Sequence, residues 1–191
     1  AAGPALAGFG VTGALADPRL AIYRAGSLVG ENDQWWLQPR EGGSAELANT
    51  AARLGAFPFA PGSLDAAALL TLPAGAYTAV IEGAGGGTGV ALAEAYEVNR
   101  DSAKIINLAT RGFADRGGRE MHGGFYVQGV AGSTKRILIR VLGPSLARPP
   151  FNLSGVLDDP ELELRNAAGL ALVRNDDWST GAEGGASPEN D

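Results

Sequence analysis

The chain has 191 residues, enough for one large domain or two small ones, and 45% of them are hydrophobic, which excludes a disordered polymer. The net charge is −6 at pH 7 and the isoelectric point is near 4.8, so the surface lacks the basic character that nucleic-acid binding requires. No apolar run approaches the roughly 18 residues needed to cross a bilayer. The absence of cysteine excludes disulfides, thiolate zinc sites and cysteine nucleophiles.

Short strands separated by tight turns dominate the predicted structure. The 29 glycines and 11 prolines supply turns, because glycine adopts positive φ and proline fixes the first dihedral of a turn. In chain order, strands are predicted over 19–24, 27–30, 66–72, 76–83, 89–97, 105–110, 124–130, 135–142, 161–166 and 170–174. One short helix is predicted between Ser44 and Gly55. The expected fold is all-β, a β-sandwich or jelly-roll of antiparallel strands with one short helix.

Three sequence blocks occur twice in the same order. Asp17-Pro18 recurs as Asp159-Pro160, 142 positions later, and Asn32-Asp33-x-Trp35 recurs as Asn175-Asp176-x-Trp178, 143 positions later. Gly3-Pro4-x-Leu6-Ala7 likewise recurs as Gly143-Pro144-x-Leu146-Ala147. The fold is therefore predicted to be repeated in tandem. Residues 1–97 are copy one, which lacks its N-terminal strands, and residues 98–191 begin copy two, which lacks its C-terminal strands. Either the chain is a window from a longer array, or a neighbouring subunit supplies the missing strands.

The order of motifs along the chain resembles a known family. Asp17-Pro18-x-Leu20-x-Ile22-Tyr23, the Asn32-Asp33 loop, Leu72-Pro73-x-Gly75-x-Tyr77 and the glycine-rich Gly87-Thr88-Gly89 hairpin are similar to the bacterial pre-peptidase C-terminal β-sandwich. The Gly-Pro-Ser-Leu, Asp-Pro and Asn-Asp-x-Trp combination resembles a tandem β-sandwich repeat of large secreted bacterial surface proteins. This resemblance implies an extracellular or cell-surface location and no assigned activity.

The resemblance also implies calcium in the acidic loops, because some pre-peptidase C-terminal domains bind it. Calcium takes six to eight oxygen ligands from carboxylates, amides and carbonyls. The candidate ligands are Asp17, Asn32, Asp33, Asp159, Asn175, Asp176 and Asp177. The alternative is that these side chains only cap turns through hydrogen bonds to the backbone. No other cofactor is indicated.

Trp36 is the candidate for contact with a partner or a glycan, since an exposed indole stacks well on a sugar ring. Trp35 and Trp178 are expected instead to cover one end of the core. Trp36 has no counterpart in the second copy, where Ser179 stands.

No catalytic arrangement can be recognised in the sequence. The single histidine, His122, precedes a predicted strand, and no Gly-x-Ser-x-Gly elbow accompanies it. The chain is thus predicted to be no enzyme but a structural repeat of a surface fibre or filament, whose partners are copies of itself. Two alternatives remain: a calcium-dependent adhesin module that binds cell-surface glycans, or an accessory domain of a secreted hydrolase.

Overall fold

The computed structural model describes residues 1–37, 43–99, 104–115, 119–177, 179 and 183–184. The chain divides into two compact units, Ala1–Leu108 and Ala109–Asp191. The predicted boundary between residues 97 and 98 stays a prediction. No helix within the described ranges has both the length and the apolar character to span a membrane.

Unit 1 contains a three-stranded antiparallel sheet in the order β2-β1-β3. Its strands are β1 (Pro18–Arg24), β2 (Ser27–Asn32) and β3 (Thr78–Gly83). A two-residue turn joins β1 to β2, and both turn residues have positive φ, 48° at Ala25 and 79° at Gly26. Such turns match the right-handed twist of the flanking strands, which explains the tight hairpin. The hairpin that the sequence predicted over 19–30 is present.

Arg19 connects all three strands of this sheet on its exposed face. Its guanidinium pairs with the carboxylate of Glu31 over 2.6 Å and with that of Glu82 over 2.5 Å. Hydrogen bonds to these two carboxylates raise the pKa of Arg19 above its ordinary value. The two ion pairs link β1 to β2 and to β3 at the surface of the sheet. Exposed ion pairs of this kind add little stability.

The predicted helix is present as α1 (Gly43–Arg53). Glu46 lies in its first turn and Arg53 in its last, which suits the helix dipole. Leu47 faces the core, and Gly55, at φ 78°, follows the end of the helix in the left-handed conformation. A 3₁₀ helix, Pro4–Phe9, precedes the sheet. Among the described residues of unit 1, the buried apolar ones include Ala2, Leu6, Leu15, Pro18, Ala21, Ile22, Trp35, Leu47 and Ala66.

Unit 2 contains a second three-stranded antiparallel sheet in the order β4-β5-β6. Its strands are β4 (Leu162–Arg165), β5 (Ala171–Asn175) and β6 (Glu183–Gly184). Oδ1 of Asn166 accepts hydrogen bonds from the N–H groups of Ala168 and Leu170, each over 3.0 Å. The Asn166 side chain therefore shapes the turn between β4 and β5. A 3₁₀ helix, Pro144–Ala147, precedes this sheet.

Several predicted strands do not form. Residues 66–72, 105–110, 124–130 and 135–142 belong to no strand, and 89–97 makes only isolated bridges, at Val90 and Leu92. Alternating apolar residues show which face of a strand would be buried, but a strand also needs a backbone partner, which periodicity does not supply. What is confirmed is a β-rich fold of antiparallel sheets with few helices.

Candidate functional site

The most completely buried polar side chain of unit 1 is that of Asp65, which is 0% exposed. Its Oδ1 accepts the N–H groups of Gly3, over 2.8 Å, and Ala5, over 3.2 Å. Its Oδ2 accepts the hydroxyl of Ser63 over 2.7 Å. A buried carboxylate is tolerated only when donors surround it, and these three donors meet that need. Asp65 thereby ties the segment around residues 63–67 to the 3₁₀ helix at the start of the chain.

Asn32 is the last residue of β2, and its side chain also contacts the segment of residues 63–67. The side chain is only 7% exposed. Its Nδ2 donates to the carbonyl of Gln34 over 2.9 Å and to that of Leu37 over 3.3 Å, while Oδ1 accepts the N–H of Ala67 over 3.0 Å. The amide thus shapes the Asn-Asp loop and also anchors the backbone next to Asp65.

Trp35 follows this loop and is buried, as expected for an indole that covers the end of the core. Its backbone N–H donates to the carbonyl of Asp65 over 2.8 Å, and Nε1 donates to the carbonyl of Ala60 over 3.2 Å. The ring lies edge-to-face with Phe59, with centroids 6.2 Å apart. Through these contacts, Trp35 attaches residues 60–65 to the loop that follows β2.

Residues 1–2 make backbone hydrogen bonds to two other parts of the chain, at Ala66 and at Leu92. The Ala1 ammonium donates to the carbonyl of Ala66 over 2.6 Å, and Ala66 returns a hydrogen bond from its N–H to the carbonyl of Ala1. Ala2 exchanges two backbone hydrogen bonds with Leu92, each over 2.9 Å.

The predicted calcium ligands of unit 1 have different surroundings. Oδ1 of Asp17 is buried and has no hydrogen-bond partner among the described residues. The backbone carbonyl of Asp17 accepts the N–H of Ala84 over 2.8 Å. Asp33 is exposed. The oxygen of Asn32 already accepts the N–H of Ala67. Calcium at Asp17, Asn32 and Asp33 stays a prediction.

In unit 2, Asp159, Asp176 and Asp177 are exposed, and Asn175 is half-buried. Nδ2 of Asn175 donates to the carbonyl of Asp177 over 2.9 Å, which shapes this loop. Within the described ranges, no three His, Cys, Asp or Glu side chains form a group that would hold a metal ion. Because asparagine and carbonyl oxygens also bind calcium, the role of these residues stays a prediction as well.

Of the tryptophans, Trp36 is 40% exposed, in keeping with its role as the candidate contact residue. Contact with a glycan or another partner stays a prediction. Trp178, expected to match Trp35, lies outside the described residues. His122 is exposed in unit 2.

Comparison of the chain with protein-family models, curated proteins and solved structures found no match. The resemblance to pre-peptidase C-terminal domains and to surface-protein repeats therefore remains a prediction from the motifs.

Asp65 is the residue that the sequence analysis missed. The only local signal is an aspartate that follows a glycine turn and a serine, Gly62-Ser63-Leu64-Asp65, and precedes an apolar run. Its donors at Gly3 and Ala5 lie 62 and 60 positions away, so no short pattern could indicate them.

Proposed function

We propose that this chain is an extracellular structural repeat, a subunit or segment of a surface fibre that assembles head to tail by sharing β-strands. The observation that carries the proposal is the exposure of apolar side chains in the described part of residues 104–142. No described residue in that range belongs to a strand.

The exposed apolar side chains stand in three short runs, at positions 105–106, 125–127 and 137–139. Ile106 is 95% exposed, and Tyr126 and Leu138 are nearly as accessible. Backbone without ladder partners and apolar side chains in water both favour pairing with another chain. Addition of a strand from a neighbouring subunit satisfies both needs, and a contact between two different surfaces propagates into a filament.

Local geometry supports the repeated nature of the two units. Gly3 has φ −128° and ψ −76°, and Gly143 has φ −121° and ψ −89°. Each glycine precedes a 3₁₀ helix that begins with proline. The carbonyl of each glycine accepts an N–H three residues later, from Leu6 and Leu146, over 3.0 Å in both cases.

The hairpins of the two units also share their register. Leu20 pairs with Asn32 in unit 1, and Leu162 pairs with Asn175 in unit 2. Each hairpin has a bulge two residues further along its first strand, after Ile22 and after Leu164. The agreement follows the 142–143-residue offset seen in the sequence, so it supports a tandem repeat.

The test is the assembly state of the chain. Sedimentation velocity over a range of concentrations and negative-stain electron microscopy should show oligomers or filaments that grow with concentration. Leu138→Lys places a charge on the proposed pairing surface and should shift the chain to monomer. The matched control is Leu28→Lys, at an exposed leucine beside the β1–β2 turn, which should assemble as the parent does. A parent chain that stays monomeric at every concentration contradicts the proposal.

A further inference from the structure

We infer that Asn152 in unit 2 is an acceptor site for an N-linked glycan. Asn152-Leu153-Ser154 is the only Asn-x-Ser/Thr triplet among the 191 residues. Such triplets accept glycans where they lie at the surface of a secreted protein. The inference rests on the extracellular location in the proposed function, and it goes beyond that function by assigning a modification site.

The triplet lies in an exposed turn whose backbone is anchored. Asn152 and Ser154 are exposed, whereas Leu153 between them is half-buried. The N–H of Leu153 donates to the carbonyl of Leu146 over 2.9 Å, and the N–H of Asn152 donates to the carbonyl of Arg148 over 3.1 Å. No described residue bonds to the side-chain amide of Asn152 or to the hydroxyl of Ser154. Both side-chain groups that the modification needs are therefore accessible.

The backbone of this turn does not by itself require an asparagine. Asn152 has φ 49°, a left-handed conformation that both glycine and asparagine adopt. Residues 9–13, Phe-Gly-Val-Thr-Gly, match residues 151–155, Phe-Asn-Leu-Ser-Gly, and Gly10 occupies the equivalent position with φ 76°. Since glycine meets the conformational need in unit 1, the exposed amide in unit 2 adds a chemical group that the turn does not use.

The modification is a group transfer from a polyprenyl pyrophosphate that carries an oligosaccharide. Nδ2 of Asn152 forms a bond to the anomeric carbon of the first sugar and loses one proton. The bond between that carbon and the pyrophosphate oxygen breaks, and the lipid pyrophosphate leaves with the electron pair. The hydroxyl of Ser154 fills the third position of the triplet, which is restricted to serine or threonine.

Expression of the chain through the secretory pathway of a eukaryotic host, followed by intact-mass measurement and peptide mapping, tests the inference. We expect one glycan, attached at Asn152, which peptide N-glycosidase removes. Ser154→Ala should lose the glycan although the acceptor amide is still present, and Ser154→Thr is the matched control that should keep it. Asn152→Gly places in unit 2 the residue that unit 1 has at this turn, so it should lose the glycan and keep the circular dichroism of the parent.

The equivalent turn of unit 1 offers a test by gain of the glycan. Gly10→Asn completes a triplet with Val11 and Thr12, and Gly10 and Thr12 are both exposed. An added Cβ at position 10 would meet no atom within 4 Å. We expect this variant to carry a second glycan in unit 1.

A secreted parent chain without a glycan overturns the inference, and so does a glycan that persists in Ser154→Ala. Failure of Gly10→Asn to gain a second glycan contradicts the role given to the turn. Filaments of a chain without glycan would leave the proposed assembly standing and remove this inference alone. A glycan on a chain that stays monomeric would support the inference and contradict the assembly.

Discussion

The N–H of Gly3 donates to Oδ1 of Asp65 over 2.8 Å, although 62 positions separate the two residues. This hydrogen bond is buried, and it connects the first residues of unit 1 to the segment that also contacts the end of β2. Asp65 therefore joins three parts of the chain that are distant in sequence, with its carboxylate bonded to Gly3 and its backbone carbonyl bonded to Trp35.

Replacement of Asp65 by alanine should strongly destabilise unit 1. The substitution removes the acceptor from the buried N–H of Gly3 and from the half-buried N–H of Ala5, and neither group regains the full hydration that it would have in the unfolded chain. We expect the free energy of unfolding to fall by about 3 kcal/mol. Urea denaturation followed by tryptophan fluorescence measures the change. The exposed Asp33→Ala control should differ little from the parent, and equal stability of the two variants would contradict the role assigned to Asp65.

Asn32 and Asn175 form a matched pair for a second prediction. Asn32→Ala removes three hydrogen bonds from a buried position and should cost about 2 kcal/mol. Asn175→Ala, at a half-buried position, should cost less. Hydrogen exchange at the amide of Ala67 reports the loss directly, since that N–H donates to Asn32. If the amide of Ala67 keeps its protection in Asn32→Ala, the anchoring role is wrong.

The sequence predicts the local parts of this fold well. The β1–β2 hairpin follows from the alternation of Leu20 and Ile22 and from a two-residue turn ending in glycine. The helix over Gly43–Arg53 follows from the spacing of its apolar residues and from the glycine at position 55. Both elements depend on residues that lie within a few positions of each other in the sequence, so a sequence pattern can predict them.

The long-range features are less accessible to sequence reasoning. Residues 66–72 form a nearly continuous apolar run that was predicted to be a strand, yet they belong to no ladder, and Ala67 is held by the side chain of Asn32. The loop residues predicted as calcium ligands all carry side-chain oxygens, but the oxygen of Asn32 accepts the N–H of Ala67, 35 positions away. Tertiary contacts decide which side-chain oxygens already accept hydrogen bonds, so composition alone could not show it.

Calcium binding by the acidic loops gives a third prediction. If Asp176 and Asp177 contribute ligands, calcium should raise the midpoint of thermal unfolding and EDTA should reverse the gain. A ligand at a hundred times its Kd stabilises the folded state by about 2.7 kcal/mol. Asp176→Asn with Asp177→Asn should abolish the response. Glu183→Gln, outside the predicted ligands, is the control. If calcium leaves the midpoint of thermal unfolding of the parent chain unchanged, the prediction that these loops bind calcium is wrong.

The two equivalent glycines give a fourth prediction. Gly3→Ala and Gly143→Ala each force a methyl group closer than 3.0 Å to a backbone carbonyl oxygen, of Leu15 in unit 1 and of Leu157 in unit 2. Backbone cannot move aside as a flexible side chain does. We therefore expect each substitution to cost about 1–3 kcal/mol, the range found for overpacked sites. Thermal unfolding and hydrogen exchange, read separately for each unit, should show the loss in the unit that carries the substitution.

Gly8→Ala is the control for both, because a methyl group there meets nothing within 4 Å and the residue has no positive φ. It should leave stability unchanged or raise it slightly, since alanine loses less backbone entropy on folding than glycine. Equal costs at Gly3 and Gly143 would mean that the backbone around the two glycines is equally rigid. A cost at Gly3 with none at Gly143 would mean that the backbone around Gly143 can relax to admit the methyl group, which contradicts the equivalence of the two sites.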